Sequence, residues 1–132
     1  MSEQENLATL TKVLAAINSN DIDAASDAVH PDISYIIRGK TVISGTYHGI
    51  EAISKALRRL MELTGGTITA TPEVVMAQGD HIMMYLRVTG TRPDGRSYDN
   101  YNAYLYRFED GRLIEGQTIP VDQEEFAAFL AD

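Results

Sequence analysis

The stretch that decides the fold runs from Arg96 to Arg112 and reads RSYDNYNAYLYRFEDGR, one long strand bracketed by turn dipeptides. Asp94-Gly95 ahead of it and Asp110-Gly111 at its end are pairs that suit two-residue hairpin turns, because both central residues of a type I′ turn take φ > 0. The strand is therefore expected to pair with both of its sequence neighbours. Side chains alternate across a sheet, which sets Tyr98, Asn100, Asn102, Tyr104, Tyr106 and Phe108 on one face and Asp99, Tyr101, Ala103, Leu105 and Arg107 on the other. A buried amide or hydroxyl without a partner costs on the order of 1–3 kcal/mol, so a dry core has little use for the first face. A wet or ligand-filled pocket suits it, and so does a solvent-exposed sheet face. The strand alone leaves both open.

At 132 residues the chain fits a single domain, residues 1–132, long enough to bury about two thirds of its unfolded surface. A formal net charge of −8 with scattered Lys and Arg, only Arg58-Arg59 being adjacent, argues against nucleic acid, which needs clustered cations. No run of eighteen or more apolar residues and no charged-then-apolar N-terminal segment is present, so no membrane association and a cytoplasmic location are the expectations. Without Cys there are no disulfides, thiolate nucleophiles or zinc-thiolate sites. His30, His48 and His81 stand at no ligand spacing, so neither a metal nor another cofactor is expected.

Ser2 and Glu5 form a capping box, and Leu7, Leu10, Leu14 and Ile17 follow at helical spacing, predicting a helix from about Glu3 to Ser19. Asn20 or Asp21 can cap a second, shorter helix through Ile22, Ala25 and Val29, stopped by Pro31. A strand over Ile33 to Ile37 and an irregular crossing come next. Ile50, Ile53, Leu57 and Leu60 restore the helical period until Gly65-Gly66. Four strands follow, roughly 67–77, 81–92, 96–108 and 112–118, joined by Gly79-Asp80 and the two Asp-Gly pairs into an antiparallel meander. Pro72 marks the first of them as an edge strand or a bulged one. A last helix carries Phe126, Phe129 and Leu130, with Asp122 and Glu125 placed as a capping box.

The segments SGTYHGIEAI (44–53), LMELTGGT (60–67), YRFEDGRLIEG (106–116) and VDQEEFAAFL (121–130), with this order of helices and strands, resemble the SnoaL-like proteins of the nuclear transport factor 2-like superfamily. The resemblance implies an α+β fold in which N-terminal helices pack on a curved antiparallel sheet, forming a cone with an internal pocket. It also implies a small organic ligand in that pocket and a homodimer through the convex sheet face. Counted from the Asp110-Gly111 turn, it puts Asn102, Tyr104 and Tyr106 on the concave side. Carried across the Asp94-Gly95 hairpin, it puts Tyr85, Arg87 and Thr89 there too, with Leu86, Val88, Ala103 and Leu105 outward.

The chemistry that the superfamily supports does not map completely onto these residues. Its ketosteroid isomerases use a carboxylate base and an oxyanion hole. The resemblance puts Ile36 and Ile37 nearest that base, and Tyr104 where the acid of the hole belongs. An epoxide hydrolase arrangement needs Arg and Asp on one face, whereas Arg96 and Asp99 fall on opposite faces. For an isomerase, cyclase or hydratase acting on a carbonyl compound, the acid/base candidates are His48 at the pocket mouth and Asp122 at the strand end, with Tyr104 as a hydrogen-bond donor. Asp122 has a helix cap as its simpler role. Tyr35, Tyr85, Arg87, Asn102, Tyr104 and Tyr106 are the expected ligand contacts. Arg87 would bind an anionic or carbonyl group, since an inward Arg must be paired. Met76, Met83 and Met84 read most simply as core. A non-catalytic binding or scaffold domain that keeps the cone is the alternative.

Overall fold

The computed structural model describes residues 3–132. Ser2 of the first capping box lies outside them. The order is α1 (Glu3–Asn18), a short 3-10 helix (Ile22–Ala28), β1 (Val29–Ile37), β2 (Gly45–His48), α2 (Ile50–Leu63), β3 (Thr69–Gln78), β4 (His81–Thr91), β5 (Ser97–Glu109), β6 (Arg112–Pro120) and α3 (Gln123–Leu130).

Both long helices stop on a residue in the left-handed conformation. Asn20 (φ 58°) ends α1, with Asp21 N–H donating to the Ala16 carbonyl, so it closes the first helix rather than opening the next. Gly65 (φ 62°) ends α2 in the same way, with Gly66 N–H donating to Met61. Asp122 caps α3 by accepting from the Glu125 N–H at 2.9 Å, as the sequence predicts.

The strands form one sheet in the order β2-β1-β6-β5-β4-β3. The class is α+β, and the sheet is mixed rather than wholly antiparallel, because β1 runs parallel to β6. Strand β3 lies at an edge and is bulged between Pro72 and Val74, so the proline without an N–H meets both of its expectations. Further irregularities fall between Val29 and Ser34 and between Arg107 and Phe108. Such bulges bend strands, and α1, α2 and α3 pack against the bent sheet.

The β4–β5 hairpin corrects the expected faces. Thr91 pairs with Ser97, Gly95 N–H donates to the Arg92 carbonyl at 2.9 Å, and Gly95, not Asp94, has the positive φ of 95°. The loop is thus three residues long, Pro93-Asp94-Gly95. Pro93 supplies the preset φ of a type I turn, and Gly95 the left-handed residue that follows it. One residue more in a hairpin loop turns every side chain of the strand to its other face. Leu86 and Val88 therefore point inward, 1% and 3% exposed, with Leu86 opposite Asn102. Tyr85, Arg87 and Thr89 point outward, on the side of Ala103 and Leu105. Met84 belongs to the core, whereas Met76 and Met83 are half exposed on the outer side, so only one of the three methionines is core. Asp110-Gly111 does form the two-residue turn, with φ of 52° and 75°.

Candidate functional site

The concave face of the sheet, α1, the 3-10 helix, α2 and Phe126 of α3 enclose a cavity of about 110 Å³. Most of its wall is aliphatic, including Val13, Ile17, Ile33, Ile53, Leu57 and Leu86. Apart from Ser26 and Ser54 on the helical side, its polar side chains come from β1, β5 and β6: Tyr35, Asn102, Tyr104, Tyr106 and Thr118.

Their hydrogen bonds form two groups. In the first, the Tyr98 hydroxyl donates to Asn102 Oδ1 at 3.0 Å, and Asn102 Nδ2 donates to the Tyr104 oxygen at 3.3 Å. This direction is the one that suits the wall: Tyr98 is 1% exposed and has no other acceptor among the described residues, while Tyr104 opens onto the cavity. The Tyr104 proton is left unspent. In the second group, the Tyr35 hydroxyl lies 2.6 Å from Thr118 Oγ1 and 3.3 Å from the Tyr106 hydroxyl. Three hydroxyl protons serve two bonds there, so one proton is surplus: on Thr118 or Tyr106 when the bonds run head to tail, and on Tyr35 when it accepts from both.

Burial in this apolar wall raises the pKa of Tyr35, Tyr104 and Tyr106 above the ordinary tyrosine value. Mutual proximity adds to the rise for Tyr104 and Tyr106, while the bond from Thr118 works against it at Tyr35. The hydroxyls are neutral donors at physiological pH. No carboxylate and no histidine lines the cavity among the described residues. The wall can hold and polarise an acceptor oxygen, but it offers no base of ordinary strength.

Of the residues expected at the site, Tyr35, Asn102, Tyr104 and Tyr106 share this cavity. Arg87 instead makes a two-pronged bond to Asp99 on the outer face, at 2.8 and 2.7 Å, which holds its guanidinium charged and the Asp99 carboxylate below its usual range. Tyr85 stacks on Tyr101 there, ring centroids 4.6 Å apart. Both sit outside because of the three-residue loop. His48 is exposed on β2, and Asp122 is occupied as the cap of α3; neither borders the cavity. Thr118 was missed. An extra residue, Ile114, is inserted in β6 opposite β5, shifting the alternation that counting from the turn would use. Serines 26 and 54 carry no signal in their local sequence.

Helices closing an apolar cavity against the concave side of a mixed sheet define a class of cone-shaped α+β proteins. The SnoaL-like domain model matches residues 10–116, and the chain belongs to that family. An uncharacterized protein of Mycobacterium tuberculosis is 24% identical over 132 residues, spanning 99% of this chain and 100% of its own length. Among solved structures, Bal32a from a soil-derived mobile gene cassette is 27% identical and superposes with a TM-score of 0.90, covering 98% of this chain and 99% of its own. TerC co-crystallised with polyporic acid is 20% identical with a TM-score of 0.85, covering 97% and 99%, a likeness of fold.

The raised tyrosines set a pH dependence. The native state keeps protons that the unfolded chain releases from about pH 10, so the native form binds more protons there and stability falls with rising pH. Their contribution is complete below about pH 10 and is lost as pH climbs through the raised native values. In an alkaline titration followed by tyrosinate absorbance, the cavity tyrosines are expected to ionise late and together with loss of tertiary structure. Ionisation of all seven tyrosines near pH 10 with the fold intact would contradict this.

Proposed function

We propose that the cavity binds a small, mainly apolar organic molecule through one acceptor oxygen, a carbonyl being the best fit. The observation that carries this reading is the pair of surplus hydroxyl protons, one on Tyr104 and one in the Tyr35, Thr118 and Tyr106 group, which the hydrogen bonds of the β1, β5 and β6 side of the wall leave without a partner. A cavity of about 110 Å³ compares with the roughly 150 Å³ that houses benzene in an engineered core, so a single-ring compound is the right scale. TerC, which shares the fold, was co-crystallised with polyporic acid.

Any reaction of the isomerase, cyclase or hydratase type would use the hydroxyls to stabilise negative charge on the carbonyl oxygen, with the proton taken by the substrate's own groups or by water. Binding without chemistry is the alternative, and the lack of a lining carboxylate or histidine among the described residues favours it. Acetophenone is expected to bind more tightly than ethylbenzene. Tyr104→Phe should lower ketone affinity by roughly twofold to tenfold and leave the hydrocarbon unaffected, as fits a hydrogen bond of about 0.5–1.5 kcal/mol. His48→Ala and Asp122→Asn, at residues that do not line the cavity, are the controls and should leave ketone affinity unchanged. Substantial isomerase turnover of a 5-ene-3-ketosteroid that survives both control substitutions would overturn the reading, because it would require a base in the cavity wall.

We further infer that two copies pair through the outer sheet face. Met76, Met83 and Leu105 line up in one cross-strand row that continues through Gln117 to Ile36, and Val74, Tyr85, Ala103 and Ile119 in the next. Arg107–Glu115 on one side and Arg87–Asp99 on the other are internally neutralised, so like charges do not oppose a second copy of the same face. An apolar band of this extent is unusual on a monomer. Sedimentation should show a dimer at micromolar concentration and a monomer for Met83→Glu. A monomeric parent protein would exclude the pairing.

A further inference from the structure

Strand β6 runs between β1 and β5, and its Gly116 stands directly opposite Tyr35 on one side and Tyr106 on the other. Its backbone is not in the left-handed region, so no conformational need calls for glycine there. Space does. A Cβ at this position would lie 2.4 Å from Tyr35 Cε2, 2.6 Å from Tyr35 Cδ2 and 3.1 Å from Tyr106 Cδ1. The Tyr35 ring thus fills the place of the missing side chain. It crosses β6 there, edge-on to Tyr106 with ring centroids 6.1 Å apart, and its hydroxyl reaches Thr118, two residues further along β6, at 2.6 Å.

We propose that Gly116 is a positioning residue for the polar end of the cavity: the gap it leaves lets hydroxyls from three adjacent strands join into one chain, Thr118 to Tyr35 to Tyr106. If Tyr106 donates to Tyr35 and Tyr35 to Thr118, the surplus proton is on Thr118; with both bonds reversed it is on Tyr106; and where Tyr35 accepts from both it is on Tyr35. All three residues line the cavity, so a ligand oxygen can be met in each arrangement. A residue with a Cβ would push the Tyr35 ring off β6 and separate its hydroxyl from Thr118. The inference rests on the reading of the cavity as a site for carbonyl compounds, and it specifies how that site is held.

The test compares Gly116→Ala with Gly90→Ala. Gly90 is also crowded, its Cβ falling 2.8 Å from Ile68 Cδ1, and it stands opposite Tyr98 in the sheet, but its three nearest atoms belong to Ile68 and Phe129 and none to Tyr35, Thr118 or Tyr106. Binding of acetophenone and of ethylbenzene is measured for each protein. Gly116→Ala should reduce the ratio of ketone to hydrocarbon affinity by roughly twofold to tenfold, the loss of one hydrogen bond. In a Tyr35→Ala background, where the ring is gone, Gly116→Ala should reduce it no further. Gly90→Ala should lower stability and keep the ratio. An unchanged ratio in Gly116→Ala overturns the proposal. A ligand-free readout decides it independently: the hydrogen-bonded hydroxyl proton between Tyr35 and Thr118, seen by NMR, should be present in the parent protein and Gly90→Ala and absent in Gly116→Ala. Its persistence in Gly116→Ala overturns the positioning role. Should neither compound bind the parent protein, the reading of the cavity fails while this proton still decides the role of Gly116.

Discussion

The register between β4 and β5 is the constraint on which the site depends. With Leu86 opposite Asn102 and Val88 opposite Asn100, the inward side of β4 is aliphatic, and the amides and hydroxyls of β5 face a low-dielectric space. In that space a hydrogen bond is strong and an unmade one is costly, so the polar groups partner one another first and present to the cavity only what is left over. The remainder is donors. Had the loop been one residue shorter, Arg87 would point at the same groups, its pairing with Asp99 would be lost, and a fixed cation would sit in the apolar wall.

The partition of charge follows from the same register. Arg87–Asp99 and Arg107–Glu115 lie on the outer face, where water carries their solvation, and the tyrosines stay neutral inside because burial disfavours the phenolate. The wall therefore offers a ligand neutral hydroxyl donors and no charged side chain among the described residues, and the proposed selection by shape and one acceptor oxygen rests on that. The outer face carries its charges neutralised in pairs around an apolar band, the feature on which the proposed pairing of two copies rests.

Strand β5 was legible because its alternation is unbroken and its Asp110-Gly111 turn has the conformation its residues favour. Tyr104, Tyr106 and Asn102 could be placed from it, and the order of elements carried the family. The facing strand was not legible from Asp94-Gly95 alone. Pro93 was the informative residue, since Pro-Asp-Gly suits a type I turn followed by a left-handed glycine, and reading the dipeptide without it moved Tyr85 and Arg87 to the wrong side. Thr118 was hidden by the inserted Ile114, and Gly116 because a glycine's use as empty space depends on rings that reach it from two other strands. The six-strand order adds a parallel β1–β6 contact that no local signal announces.

The most direct test of the central claim, that surplus hydroxyl protons define what the cavity accepts, is a crystal structure of the protein with acetophenone bound. The account predicts the ring among Ile33, Ile53 and Leu86 and the carbonyl oxygen within about 3 Å of the Tyr104 hydroxyl or of the Thr118 or Tyr106 hydroxyl. A ligand whose oxygen turns away from β5 and β6 toward the helices, leaving those hydroxyls unengaged, would contradict it.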